Sequence, residues 1–96
     1  MFKICLNENN EILLSGRFDA SQVDTANSFF DSVDSTRIVN FENLEYISSA
    51  GLGVLLATQK RLKEKDNEIV LIKMSKHILD IFKWAGFDMI FTIKTD

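Results

Sequence analysis

The sequence predicts a single α/β domain over residues 1–96, a mixed, mostly parallel β-sheet with covering helices in the order β-β-α-β-α-β-α-β. Three observations lead there. Short apolar runs alternate with stretches of helical periodicity. The chain has no proline and only four glycines, so no linker divides it. Its 96 residues, 46% hydrophobic and 26% charged, match a globular composition with one hydrophobic core.

Taken in order, Phe2 to Leu6 alternates as a strand, Asn7-Glu8-Asn9-Asn10 is a turn, and Ile12 to Ser15 follows as the second strand of a hairpin, ended by Gly16. Asp19-Ala20-Ser21-Gln22 starts a helix, whose apolar stripe is Val23, Ala26, Phe30 and Val33. Thr36 to Phe41 reads as a central strand. Ser48 or Ser49 caps the longest helix, which runs to about Lys65 with Leu52, Leu55, Leu56 and Leu62 inward. Ile69-Val70-Leu71-Ile72 is continuously apolar, the pattern of a strand covered on both faces. Ser75 caps a third helix through Ile78, Leu79, Phe82 and Trp84, stopped by Gly86. Met89 to Ile93 is the last strand. Strands joined through single helices call for right-handed parallel crossovers. Sites on such sheets gather beyond the carboxyl ends of the parallel strands, here the loops Glu42 to Ser49 and Met74 to Lys76.

Composition narrows the function classes. A net charge of −3 offers no footprint for nucleic acid or an anionic membrane surface. No apolar run reaches the ~20 residues of a spanning helix, so no membrane insertion is expected. The N-terminus Met1-Phe2-Lys3-Ile4-Cys5 lacks the order of a signal peptide. Cys5, the only cysteine, reads as a small core residue, and the expected location is the reducing cytoplasm. One histidine, His77, cannot assemble a metal site, and neither a metal nor a cofactor is expected. A Ser-His-Asp arrangement can be written with Ser48 or Ser49 and His77, but the spacing does not demand it. His77 in a first helical turn reads as solvated, and Trp84, with Phe82 and Phe87, reads as core or its rim.

The segment Tyr46-Ile47-Ser48-Ser49-Ala50-Gly51-Leu52-Gly53-Val54-Leu55-Leu56 stands apart. A capped helix lying close on the sheet explains one serine and one glycine. It explains Gly53 less well, because glycine costs about 1 kcal/mol relative to alanine inside a helix. At 100° per residue Val54, Ala57 and Arg61 project away from the leucine stripe. Hydroxyls, bare backbone and a small apolar face also describe a docking surface. Pattern alone leaves both readings open.

The run Ile38-Val39-Asn40-Phe41-Glu42-Asn43-Leu44-Glu45-Tyr46-Ile47-Ser48-Ser49-Ala50-Gly51-Leu52-Gly53-Val54-Leu55 resembles the signature of STAS domains, most closely that of bacterial anti-sigma factor antagonists. Leu14-Ser15-Gly16-Arg17-Phe18-Asp19 is similar to the family's Leu-x-Gly-x-Leu-Asp. Ile78-Leu79-Asp80-Ile81-Phe82-Lys83-Trp84-Ala85-Gly86-Phe87 is similar to its closing helix and turn. The resemblance implies a protein-binding module of signal transduction and not an enzyme. Such a module binds an anti-sigma factor, a GHKL-type serine kinase, and so regulates sigma-factor-dependent transcription. The kinase phosphorylates the module and a PP2C-type phosphatase restores it. The implied phosphoacceptor is Ser49. The implied partner surface comprises Asp19, Ser48, Ser49, Ala50, Gly51, Gly53, Val54 and Ala57. Ser48 stands where the family has Asp, and Ala50 where it has a second Ser or Thr. The chain's end at Asp96 implies that the family's C-terminal helix is short or absent. Two other classes remain in view. One is a STAS subunit of a membrane transporter complex, binding an ATPase subunit without phosphorylation. The other is a hydrolase, which would need Ser49 and His77 to act together.

Overall fold

The structure, a computed structural model, describes residues 1–94; the chain's end at Asp96, and the expectation attached to it, lies outside the described residues. Asn7 makes the first turn by accepting the N–H groups of Asn9 and Glu11 on its side-chain oxygen, at 3.0 and 2.9 Å. The turn joins β1 (Lys3–Leu6) to β2 (Ile12–Phe18) as an antiparallel hairpin. A short 3₁₀ turn (Ala20–Gln22) leads into α1 (Val23–Phe30), then β3 (Arg37–Ile47), α2 (Ser49–Lys63), β4 (Ile69–Ile72) and α3 (Lys76–Trp84). A second 3₁₀ turn (Phe87–Met89) precedes β5 (Thr92–Lys94). The five strands lie in sequence order, β1-β2-β3-β4-β5, and all pairs after the hairpin are parallel.

That order decides where the core sits. Each crossover steps one strand in the same direction, and right-handed crossovers of that kind put every helix on one side of the sheet. Burial follows suit. Ile12, Leu14 and Phe18 of β2, Val39, Phe41, Leu44 and Ile47 of β3, and Ile69 and Leu71 of β4 share one core cluster with Ala26, Phe30, Leu52, Leu55, Leu62, Ile78 and Phe82 of the helices. Leu13, Val70 and Ile72 point the other way and are half-buried, and Ile38 is exposed. The apolar run of β4 is therefore covered by helices on one face only, not on both as its sequence suggests. Cys5 is likewise exposed and not in the core, because it pairs with Leu13 on the helix-free face.

Two further boundaries differ from the sequence reading. β2 does not end at Gly16; the strand passes through it at φ 83°, and a Cβ there would collide with the Met1 carbonyl. Residues 42–47 form strand, not loop. The β2–β3 register shifts at Leu13/Ser15 and at Gly16/Arg17, each shift inserting one extra residue into β3. Phe41, Leu44 and Ile47 then face inward at a spacing of three, which hides the strand from a search for alternation. Asn40, 2% exposed, serves the first bulge: its side-chain oxygen accepts the N–H of Glu42 at 2.8 Å, and its amide donates to Glu11 at 3.0 Å.

The last segment also differs. Residues 87–89 wind into a 3₁₀ turn, so β5 begins only at Thr92. Trp84 is 80% exposed and is not core or rim. Ile78 and Phe82 hold the buried side of α3, and Trp84, two residues past Phe82, falls on the opposite side of the helix.

Candidate functional site

The parallel strands β2 and β3 end at Phe18 and Ile47, which are paired in register. The Ser48 N–H donates to the Phe18 carbonyl at 2.9 Å, so the chain leaves the sheet held to its neighbour. Asp19 and Ser48 thereby stand at one sheet end. Met74 and Ser75, which follow β4, leave the sheet at its carboxyl end as well.

Ser48 is the N-cap of α2. Its backbone is extended, and its hydroxyl oxygen accepts the Gly51 N–H at 3.2 Å. Ser49 is the first helical residue and is exposed. Of the two hydroxyls, one is engaged in the cap and the other faces solvent. Asp19 caps the preceding 3₁₀ turn, accepting the Ser21 N–H at 3.1 Å and the Ser21 hydroxyl at 2.6 Å. The Ser21 hydroxyl holds the Asp19 carboxyl below the usual aspartate range, with Arg17 adding to the effect and partial desolvation opposing it.

The glycines of the helix start have different causes. A Cβ on Gly51 would meet Ile47, the Phe18 ring and the Phe18 carbonyl, each at 3.0 Å, so Gly51 is buried where α2 lies closest on the sheet. A Cβ on Gly53 would meet nothing within 4 Å. No close approach requires glycine there. Together with exposed Ala57 it leaves one side of α2 low and open above Ser49, as far as the exposed Lys60.

Two residues read as projecting from that side do not. Val54 is 4% exposed and belongs to the core cluster. Arg61 is half-buried, its guanidinium donating to the carbonyls of Val33 and Phe30 at 2.8 Å each. The cause is α1, which packs along this flank of α2 and widens its buried arc beyond the leucine stripe; Leu56, assigned to that stripe, is only half-buried. Of the expected surface residues, Ser49, Gly53 and Ala57 are exposed, Asp19, Ser48 and Ala50 half-buried, and Gly51 and Val54 buried.

His77 is exposed in the first turn of α3. Among the described residues no group of His, Cys, Asp or Glu could hold a metal ion, and no helix is long and apolar enough to cross a membrane. A cavity of about 200 Å³ lined by Lys63, Asp66, Asn67 and Glu68 opens at the opposite end of the sheet. It is polar and below the ~300 Å³ of a typical ligand pocket.

A family model described as Mlab, STAS domain, matches residues 7–93. BtrV of Bordetella bronchiseptica, described as a candidate anti-sigma factor antagonist, is 38% identical over 56 residues, 58% of this chain and 48% of its own. The anti-sigma-B factor antagonist of Staphylococcus aureus is 38% identical over 55 residues, 55% of this chain and 51% of its own. The matches thus span about half the length of these relatives. Bacillus SpoIIAA in its phosphorylated form superposes with a TM-score of 0.69 at 19% identity, covering 100% of this chain and 93% of that one. Its unphosphorylated form, titled an anti-sigma factor antagonist, gives 0.71 at 18% identity, covering 98% and 87%. At such identities the likeness establishes the fold.

Proposed function

The chain belongs to the STAS domain family, and from that premise we propose that it is an anti-sigma factor antagonist, a regulatory binding module and not an enzyme. In this reading the exposed side of α2, Ser49-Gly53-Ala57 with Asp19 at the adjoining strand end, docks an anti-sigma factor that is a GHKL-type serine kinase. Binding withdraws that factor from its sigma factor. Phosphorylation of Ser49 breaks the complex, and a PP2C-type phosphatase restores it. The observation that carries the reading is the division between the two serines: Ser48 is spent on the helix cap, while Ser49 presents a free hydroxyl at a helix N-terminus.

The physics of a switch agrees. A phosphate adds about −1.5 to −2 charges. A helix N-terminus accommodates that charge, so the fold survives. A partner seated over Gly53 and Ala57 meets the charge and bulk directly. With the purified kinase and ATP, one phosphate is expected, absent in Ser49→Ala and retained in Ser48→Ala. Phosphate on Ser48, or none at all, sinks the assignment.

A second reading is a constitutive STAS subunit of a transporter complex, bound to its ATPase subunit. Ser48 favours it, since no carboxylate precedes Ser49 to orient its hydroxyl or accept its proton. Ser48→Asp separates the two. Asp caps a helix as well as Ser, so the variant folds, and under the first reading its Ser49 is phosphorylated faster. An equal or slower rate with kinase binding intact puts the transporter subunit first.

A further inference from the structure

Trp84 is the only tryptophan in the chain and is 80% exposed, with Met89 at 87% and Ile90 at 40%. They stand on the two limbs of one turn. α3 ends at Trp84, Ala85 closes the helix, Gly86 at φ 77° reverses the chain, and Phe87–Met89 forms the returning limb. Phe87 fastens the turn to the core, its ring 6.4 Å from that of Phe82 and 6.1 Å from that of Phe91. With Phe87 turned in, Trp84 and Met89 are left outside. Each limb also carries a charge beside its apolar residue, Lys83 next to Trp84 and Asp88 next to Met89. Both charges are exposed, and neither takes part in an ion pair among the described residues.

Tryptophan and methionine are enriched at contact surfaces relative to the rest of a protein's exterior. The arrangement of charges selects among partners. In a two-fold contact, residue i of one copy meets residue j of the other, and j meets i. Laying the α3 limb of one copy over the returning limb of a second sets Lys83 against Asp88 and Trp84 against Met89, each pairing occurring twice. Sulfur–aromatic contact is favourable, and opposite charges flanking an apolar centre fix the register. A lipid surface suits the turn poorly, since Asp88 and the net charge of −3 oppose anionic headgroups.

We propose that the Lys83–Ile90 turn is a self-association surface that joins two copies of this chain about a two-fold axis. It is separate from the serines of α2 and does not depend on the function proposed for them. A tryptophan contributes ~150–250 Å², and with Met89 and Ile90 added the patch stays below the ~800 Å² per partner of a standard interface. The dimer is accordingly weak and reversible, of the transient class that small interfaces form.

Because Trp84 is the sole tryptophan, its emission reports burial at this surface alone. In sedimentation equilibrium of the full chain over a concentration series, the expected result is a mass rising toward that of a dimer while the Trp84 emission shifts to the blue in step. Trp84→Ala, whose fold is checked by circular dichroism, weakens association by more than about tenfold. Lys83→Asp weakens it, and adding Asp88→Lys to that variant restores it to within about threefold. A mass that stays monomeric across the series, or a dimer indifferent to Trp84→Ala, overturns the proposal. A double variant no tighter than Lys83→Asp alone overturns the two-fold arrangement.

Discussion

Val54 and Ala57 lie three residues apart on α2 and meet opposite surroundings, and this difference separates stability from recognition. Val54 is enclosed by the core, so Val54→Arg buries a charge with nothing to pair it and is expected to cost more than about 3 kcal/mol of stability. Ala57 faces solvent, so Ala57→Glu should change the melt by no more than about 0.5 kcal/mol. The same substitution should weaken anti-sigma factor binding by at least about 1.4 kcal/mol, which is tenfold. Thermal melts and titration calorimetry read the two effects, and an unchanged affinity for Ala57→Glu removes the proposed surface from α2. That one of the two serines caps α2 was legible in the sequence, but which of them does so was left open there, and the structure gives Ser48. The burial of Val54 was not legible, because a helical wheel centred on Leu52, Leu55 and Leu62 cannot know that α1 lies along the flank. Trp84 misled for a related reason: apolar character argues for burial, while position on α3 argues against it, and only the latter held.

At the scale of elements, the order of strands and helices could be read directly, since each apolar run is short and each helix carries its own cap. The length of β3 could not. Its two bulges replace a period of two with a spacing of three between Phe41, Leu44 and Ile47, and that spacing looks like neither strand nor loop. The polar part of the union of α1 with α2 was also invisible, because it rests on one long side chain meeting main-chain carbonyls. Arg61 takes two carbonyls at and beyond the end of α1 in charge-assisted bonds, that of Val33 and that of Phe30, which also accepts the Val33 N–H at 3.0 Å. Arg61→Ala is expected to cost about 2–3 kcal/mol. Amide exchange should rise in residues 27–33 ahead of the sheet. Equal acceleration throughout the chain would show that Arg61 contributes to the whole fold and not to this joint.

For the whole molecule, two carboxylates with lowered pKa contribute to the response to acid. Glu11 is held below the usual glutamate range by the side-chain amides of Asn7 and then Asn40, with Lys73 adding and burial opposing, and Asp19 is lowered chiefly by the Ser21 hydroxyl. Both groups keep their protons less well folded than unfolded, so their contribution is complete above the ordinary carboxylate values and is lost as pH falls from there through the lowered folded values. Melting temperature should therefore drop below about pH 4.3, and Glu11→Gln should flatten that acid limb in melts taken from neutral pH downward. An unchanged acid limb would mean that the Asn7–Glu11–Asn40 bonds persist with the carboxyl protonated. The sequential strand order has a consequence in time as well as in space. Every strand pairs with one already made, and none waits for a distant segment to close a gap. The hairpin can form first, β3 can add to it with α1 laid across, and β4 and β5 can follow. No strand pairing spans more than one crossover, the longest being the 32 residues between Arg37 and Ile69, so each loop closes before the next strand is added. A protein stacked in the order of its own synthesis can assemble behind the ribosome, strand upon strand.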